Sequence, residues 1–196
     1  MGEARPFHYT YPQNWVVSPG VKKRLLELAH GRNDGKAPAQ SRKKTNWATD
    51  LQTDFVGLTG EHVASGFYGV PFKAESYGAG GDDGIDLVVN GVSCAVKTNH
   101  RRGGYLLVEF EKELEKAEAL VLVDGYCDPP RFCACNRLEM YLDTPDIWRV
   151  VGWLPVPVFR EIHRASDWGH GKRLWVPQAE LWTEYLCRES LSKARA

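Results

Sequence analysis

Gly80-Gly-Asp-Asp-Gly-Ile-Asp-Leu-Val-Val-Asn-Gly-Val-Ser-Cys-Ala-Val-Lys-Thr98 reads as a β-hairpin with chemistry on one of its faces. Asn90-Gly91 is the strongest short signal for a two-residue type I′ turn, which needs positive φ at both central residues. With that turn, Val89 faces Val92. Further pairs keep the same sum of residue numbers, so Asp86 lies opposite Ala95. Side chains alternate along a strand. Asp86, Val88, Ser93, Ala95 and Lys97 therefore share one face. Ile85, Leu87, Val89, Val92, Cys94 and Val96 share the other and can enter a core.

Lys97 is one diagonal step from Asp86, within reach of a long side chain. This arrangement suits cleavage of a phosphodiester. Asp86 would hold a divalent cation, and Lys97 would orient or activate water, or stabilise charge on the phosphate. A carboxylate at position 95 would face Asp86 at roughly 5 Å between Cβ atoms, which repels unless a cation lies between. A metal site needs that opposition and an ordinary strand avoids it. Alanine stands there instead.

The stretch resembles the core motif of the PD-(D/E)XK nuclease superfamily. In that family an Asp at the start of one strand is followed by an acid-x-Lys triplet on the next. The matching triplet here is Ala95-Val96-Lys97. Thr59-Gly-Glu-His-Val-Ala-Ser-Gly-Phe-Tyr-Gly69 resembles the preceding helix that often carries a Glu in the family, with Glu61 as the match. The resemblance spans residues 46 to 126, less than half the chain, and the motif is short. It implies a restriction-endonuclease-like α/β fold and a metal-dependent DNA endonuclease acting on double-stranded DNA, in restriction, homing or phage DNA processing. It implies Mg²⁺ or Mn²⁺ held by Glu61, Asp86 and the backbone carbonyl of Val96, with Lys97 acting on the attacking water. A homodimer would supply the two sites that cutting both strands needs. Ala95 leaves three readings open: an alanine installed to trap an inactive complex, an acid that has migrated to Glu61, Asp83 or Glu109, or a domain that has lost catalysis and only binds DNA.

The bulk properties set the frame. A chain of 196 residues can bury one sizeable core, and 43% hydrophobic with 26% charged residues is ordinary for a globular protein. The net charge of zero predicts modest non-specific affinity for nucleic acid, so phosphate contacts must come from local basic patches. These are Arg42, Lys43 and Lys44 in a polar loop, Arg101 and Arg102 just past Lys97, and Lys172 and Arg173 among tryptophans. No apolar run is long enough to span a membrane, and the N-terminus lacks an apolar signal core, so an intracellular, cytoplasmic protein is expected. Five cysteines in a reducing compartment point to thiols. Cys127, Cys133, Cys135 and Cys187 also permit a zinc or iron-sulfur site, although their spacing fits neither well.

The expected organisation is an N-terminal arm, short helix and basic loop over 1–45, a nuclease-like core over 46–126, and a tryptophan-rich extension over 127–196 that completes the same domain. Within it we expect helices over 21–30, 47–67, 111–118, 158–163 and 177–190. Strands are expected at the hairpin and over 105–110, 119–123 and 148–154, with a polar loop over 167–173. The order helix, hairpin, strand, helix, strand fits a mixed sheet with helices on both faces. The clustered tryptophans are read first as core, and second as a surface that stacks on bases. His100 is a candidate general base, read otherwise as an exposed loop histidine.

Overall fold

The computed structural model describes residues 11–34, 50–73, 84–109, 111–125, 146–167, 172–184 and 186–193. In chain order the elements are β1 (Gln13–Val17), α1 (Pro19–Asp34), α2 (Asp50–Tyr68), β2 (Leu87–Val89), β3 (Val92–Asn99) and β4 (Leu106–Val108). A 3-10 turn (Glu111–Leu114), β5 (Ala119–Gly125), β6 (Asp146–Pro155) and α3 (Val156–Ile162) follow. The chain continues through β7 (Arg164–Asp167), β8 (Lys172–Val176), a 3-10 turn (Gln178–Glu180) and α4 (Arg188–Lys193).

Five strands form the central sheet in the order β1-β6-β5-β3-β2. Only β3 and β5 run parallel; the other neighbours are antiparallel. The fold is therefore mixed α/β, as the alternation of elements predicts. The apolar run Ala119–Val123 is buried along its whole length because β5 has a neighbour on both sides and a core on both faces. One face packs on α1 and α2 through Leu25, Phe55, Leu58, Val63, Val92, Cys94, Val96, Val121 and Trp148.

The other face departs from expectation. It is covered not by long helices but by a three-stranded sheet, order β4-β8-β7, with α3 beside it. The inward residues Leu106, Val108, Leu174 and Val176 meet Ala95, Leu120, Leu122 and Phe159 there. The expected polar loop over 167–173 thus opens and closes on strand pairs, Ser166 with Arg173 and Asp167 with Lys172. Arg173 and Trp175 alternate with the buried Leu174 and Val176, and that period-2 burial outweighs the polar composition.

Other boundaries moved as well. The N-terminal segment supplies a fifth strand, β1, because Trp15 and Val17 pack on the helical side while β1 pairs with β6. Helix α1 runs on through Gly31 to Asp34. Helix formation over 111–118 stops at Leu114, since Leu114 and Ala117 must enter the core just before β5 begins. The expected helix over 177–190 shrinks to its ends, because Trp182 pairs with Trp153 through two backbone hydrogen bonds and holds the chain extended. Of the clustered tryptophans, Trp148 and Trp153 are fully buried, which is the core role expected of them.

Helix α2 lies close on β3 at one glycine. A Cβ at Gly60 would sit 1.9 Å from Thr98 Oγ1 and 2.9 Å from Thr98 Cβ. Gly→Ala gains about 1 kcal/mol at an ordinary helical position. Here the clash forces the helix off the sheet, so Gly60→Ala is expected to destabilise by at least about 1 kcal/mol. Chemical denaturation should show it, and Thr98→Ala should recover part of the loss.

Candidate active site at the end of β3

The hairpin forms as its sequence dictates. Asn90 and Gly91 take φ of 49° and 78°, as a type I′ turn requires. The register pairs Leu87 with Cys94, Val88 with Ser93 and Val89 with Val92. Asp86 stands one step beyond β2. Its backbone N–H donates to the Cys94 carbonyl at 2.9 Å, and its Oδ2 accepts the Val96 N–H at 2.7 Å. The aspartate thus takes the place of a strand partner at the outer edge of β3. The Val96 carbonyl faces the same edge, because in an extended strand the N–H and C=O of one residue point to the same side.

The two faces of β3 are distinct. Val92, Cys94 and Val96 enter the helical core, and Ala95 enters the opposite cluster with Leu106, Leu120 and Leu122. Alternation places Lys97, which is half-buried, on the side of Ala95. The structure therefore bonds Asp86 to β3 at Cys94 and Val96, buries Ala95 between them in the opposite cluster, and leaves Lys97 half-buried one residue further on.

Glu61 belongs to the helical face. It follows Gly60, which rests on Thr98, and it accepts two hydrogen bonds from Arg32 of α1 at 3.2 and 3.3 Å. Both side chains are largely buried, at 12% and 13% exposure. Glu109, just past β4, forms an ion pair with Arg173 at 3.1 Å. Asp83, Arg42, Lys43, Lys44, Cys127, Cys133 and Cys135 lie outside the described residues. Cys187 is half-buried beside Ser190. The Cys94 thiol is buried, and burial pushes its pKa up to about 12, which makes it an inert core residue.

These residues fit a divalent cation poorly as they stand. Magnesium takes six oxygens, commonly from one or two carboxylates with water and substrate phosphate. Here one oxygen of Asp86 accepts a backbone N–H, and Ala95, only 4% exposed, offers a methyl group among leucines. Among the described residues no three His, Cys, Asp or Glu side chains group as metal ligands.

Past Lys97 the arginines singled out in the sequence lie on a turn whose buried anchor, Asp124, the sequence did not single out. Arg101 and Arg102 are exposed on a tight turn. Arg101 N–H donates to Asn99 Oδ1 at 3.0 Å, and Gly103 N–H donates to Asp124 Oδ2 at 3.1 Å, with Gly103 at φ 76°. Asp124 is fully buried at the end of β5. It also accepts Arg149 Nε at 2.6 Å, Arg149 Nη2 at 2.9 Å and Gln178 Nε2 at 2.8 Å. Its only trace in the sequence is an acid closing the apolar run of β5, which reads equally as a turn boundary.

His100 sits on this turn, half-buried rather than exposed. Burial, then the neighbouring Arg101, lowers its pKa to about 4, so it is neutral at pH 7 and a weak base. The unfolded imidazole titrates near 6.5, so between these values the unfolded chain binds more protons than the folded one. Stability contributed by His100 is then present above pH 6.5 and lost as pH falls toward 4. His100→Asn is expected to flatten that part of the stability profile, read by urea melts between pH 4 and 7. An unchanged slope would place the imidazole in water.

No family model, curated protein or solved structure matches the chain. No helix among the described residues is long and apolar enough to cross a membrane. The functional reading rests on the geometry.

Proposed function

We propose that this chain is a DNA-acting protein of the PD-(D/E)XK endonuclease type, with a phosphodiester-cleaving centre that lacks its second acid in this sequence. The observation that carries the reading is the hairpin end. Asp86 is fixed on the Cys94 carbonyl and the Val96 N–H, between which Ala95 lies in β3, and Lys97 follows in the same strand. The exposed Arg101 and Arg102, a short step along the chain, supply positive charge for a phosphate backbone.

A second reading has its own observations. Ala95 is packed into an apolar cluster and Glu61 is engaged by Arg32, so the domain acts as a silent DNA-binding module. A cleavage assay on plasmid and linear duplex with Mg²⁺ or Mn²⁺ separates the two. The nuclease reading expects cutting by Ala95→Asp or Ala95→Glu and little or none by the parent. If all three proteins bind DNA and none cuts it, the binding module is the correct description. If none binds DNA, both readings are wrong.

A further inference from the structure

The outer face of the three-stranded sheet carries an aromatic and cationic surface. The register places Leu107, Trp175 and Arg164 in one row across β4, β8 and β7. Ser166 pairs with Arg173 further along β7 and β8, and Arg173 is joined to Glu109, just past β4, by an ion pair. The Tyr105 ring, 44% exposed, lies 4.4 Å from the Trp175 ring, centroid to centroid. The Arg164 guanidinium lies 5.1 Å from the Trp175 ring centroid, and Trp175 Nε1 donates to Ser166 Oγ at 3.0 Å. The indole is thus held in one orientation. Arg164 also pairs with Glu180 at 2.8 Å, so it is tethered beside the ring rather than free in solvent.

This surface is joined to the arginine turn by the buried carboxylate of Asp124. Gly103, two residues before Tyr105, and Gln178, three residues after Trp175, both donate to Asp124 Oδ2. One buried acid therefore anchors both the turn that carries Arg101, Arg102 and Tyr105 and the segment that follows Trp175. Rings that accept a base by stacking, beside guanidinium groups that meet phosphates, are the elements of sequence-tolerant single-strand binding. A duplex keeps its bases stacked on one another and offers such rings no base face.

We propose that Tyr105 and Trp175 form a base-stacking platform for unpaired DNA, with Arg101 and Arg102 contacting its phosphates. The inference rests on the reading of the chain as DNA-acting and deepens it by assigning the single-stranded part of the substrate.

Titration of the full chain tests it. The ligands are a dT oligonucleotide, an abasic oligonucleotide of the same length, and a blunt duplex. Binding is read by anisotropy of a dye-labelled strand at several salt concentrations. The dT strand is expected to bind about tenfold or more tightly than the abasic strand, because each stacked base adds roughly 1–3 kcal/mol. Tyr105→Ala should remove most of that preference and leave abasic binding unchanged. Trp175→Phe should keep it, as a conservative ring. Arg101→Ala with Arg102→Ala should weaken both strands alike and lower the salt slope by up to about 1.4. Equal affinity for dT and abasic strands, or a dT affinity that Tyr105→Ala leaves unchanged, would overturn the platform. Tight duplex binding with no uptake of dT would also overturn it, yet leave the DNA-acting reading intact. No binding of any of the three would overturn both.

Discussion

Ala95→Glu is expected to melt well below the parent protein in EDTA and to regain much of the loss in Mg²⁺. Position 95 is 4% exposed and packed with Leu106, Leu120 and Leu122. An ionised carboxylate in such a place carries an effective penalty of several kcal/mol, and the longer side chain adds about 1–3 kcal/mol of overpacking. It also lies between Cys94 and Val96, the two residues whose backbone holds Asp86, so a second like charge comes close to the first. A loss of about 3 kcal/mol or more corresponds to a Tm drop of roughly 6–12 °C for a chain of this size. A cation between the two carboxylates reverses the sign of their interaction. At a concentration 100 times its Kd, a bound metal adds about 2.7 kcal/mol of stability. Thermal melts of parent, Ala95→Glu and Ala95→Asp in EDTA and in Mg²⁺ decide the matter. Destabilisation that Mg²⁺ repairs in the variants, with a parent indifferent to Mg²⁺, identifies position 95 as the missing ligand. Destabilisation that Mg²⁺ does not repair assigns Ala95 to the core alone and favours the binding module. A variant as stable as the parent in EDTA would contradict the burial on which the argument stands.

The hairpin was legible because its signals are local. Asn90-Gly91 fixes the turn, the turn fixes the register, and the register fixes which side chains share a face. The apolar run of β5 was legible because a strand covered on both faces leaves no polar residue in its middle. What escaped reading depends on contacts distant in sequence. Polar β7 becomes a strand only because β8 brings Leu174 and Val176 to the core. The stretch after Pro177 loses its helix to a bridge with Trp153, whose position no local pattern announces. Glu61 shows the same limit at the site. Its spacing on α2 places it beside the apolar stripe, but the partner that occupies it, Arg32, comes from another helix 29 residues away.

Asp124→Ala is expected to cost about 3–5 kcal/mol, as removal of one partner from a buried ion pair does. Asp124 is fully buried, whereas the Arg149 side chain keeps 22% of its surface exposed. The penalty is therefore asymmetric. Losing the carboxylate strands a guanidinium that can still find some water, along with the Gln178 amide and the Gly103 N–H. Arg149→Ala instead leaves the charge on the fully buried partner, with Gln178 and Gly103 as its remaining donors, and should cost at least as much. Asp124→Asn keeps the shape without the charge and should fall between the parent and Asp124→Ala. Urea denaturation of the single variants and of the double Asp124→Ala/Arg149→Ala gives the coupling. Groups in direct contact should be non-additive by about 0.5–3 kcal/mol, with the double variant less damaged than the sum of the singles. Additivity would mean the two groups do not share their energy, and a loss below about 1 kcal/mol for Asp124→Ala would mean that water already reaches the carboxylate. The consequence reaches the surface through Gly103. Its amide is one of the hydrogen bonds that hold the turn of Arg101 and Arg102, so its exchange with deuterium should speed up in Asp124→Ala under conditions where β5 itself stays protected. Local release of the turn, with the sheet intact, is the behaviour expected of a carboxylate that positions a phosphate-binding loop.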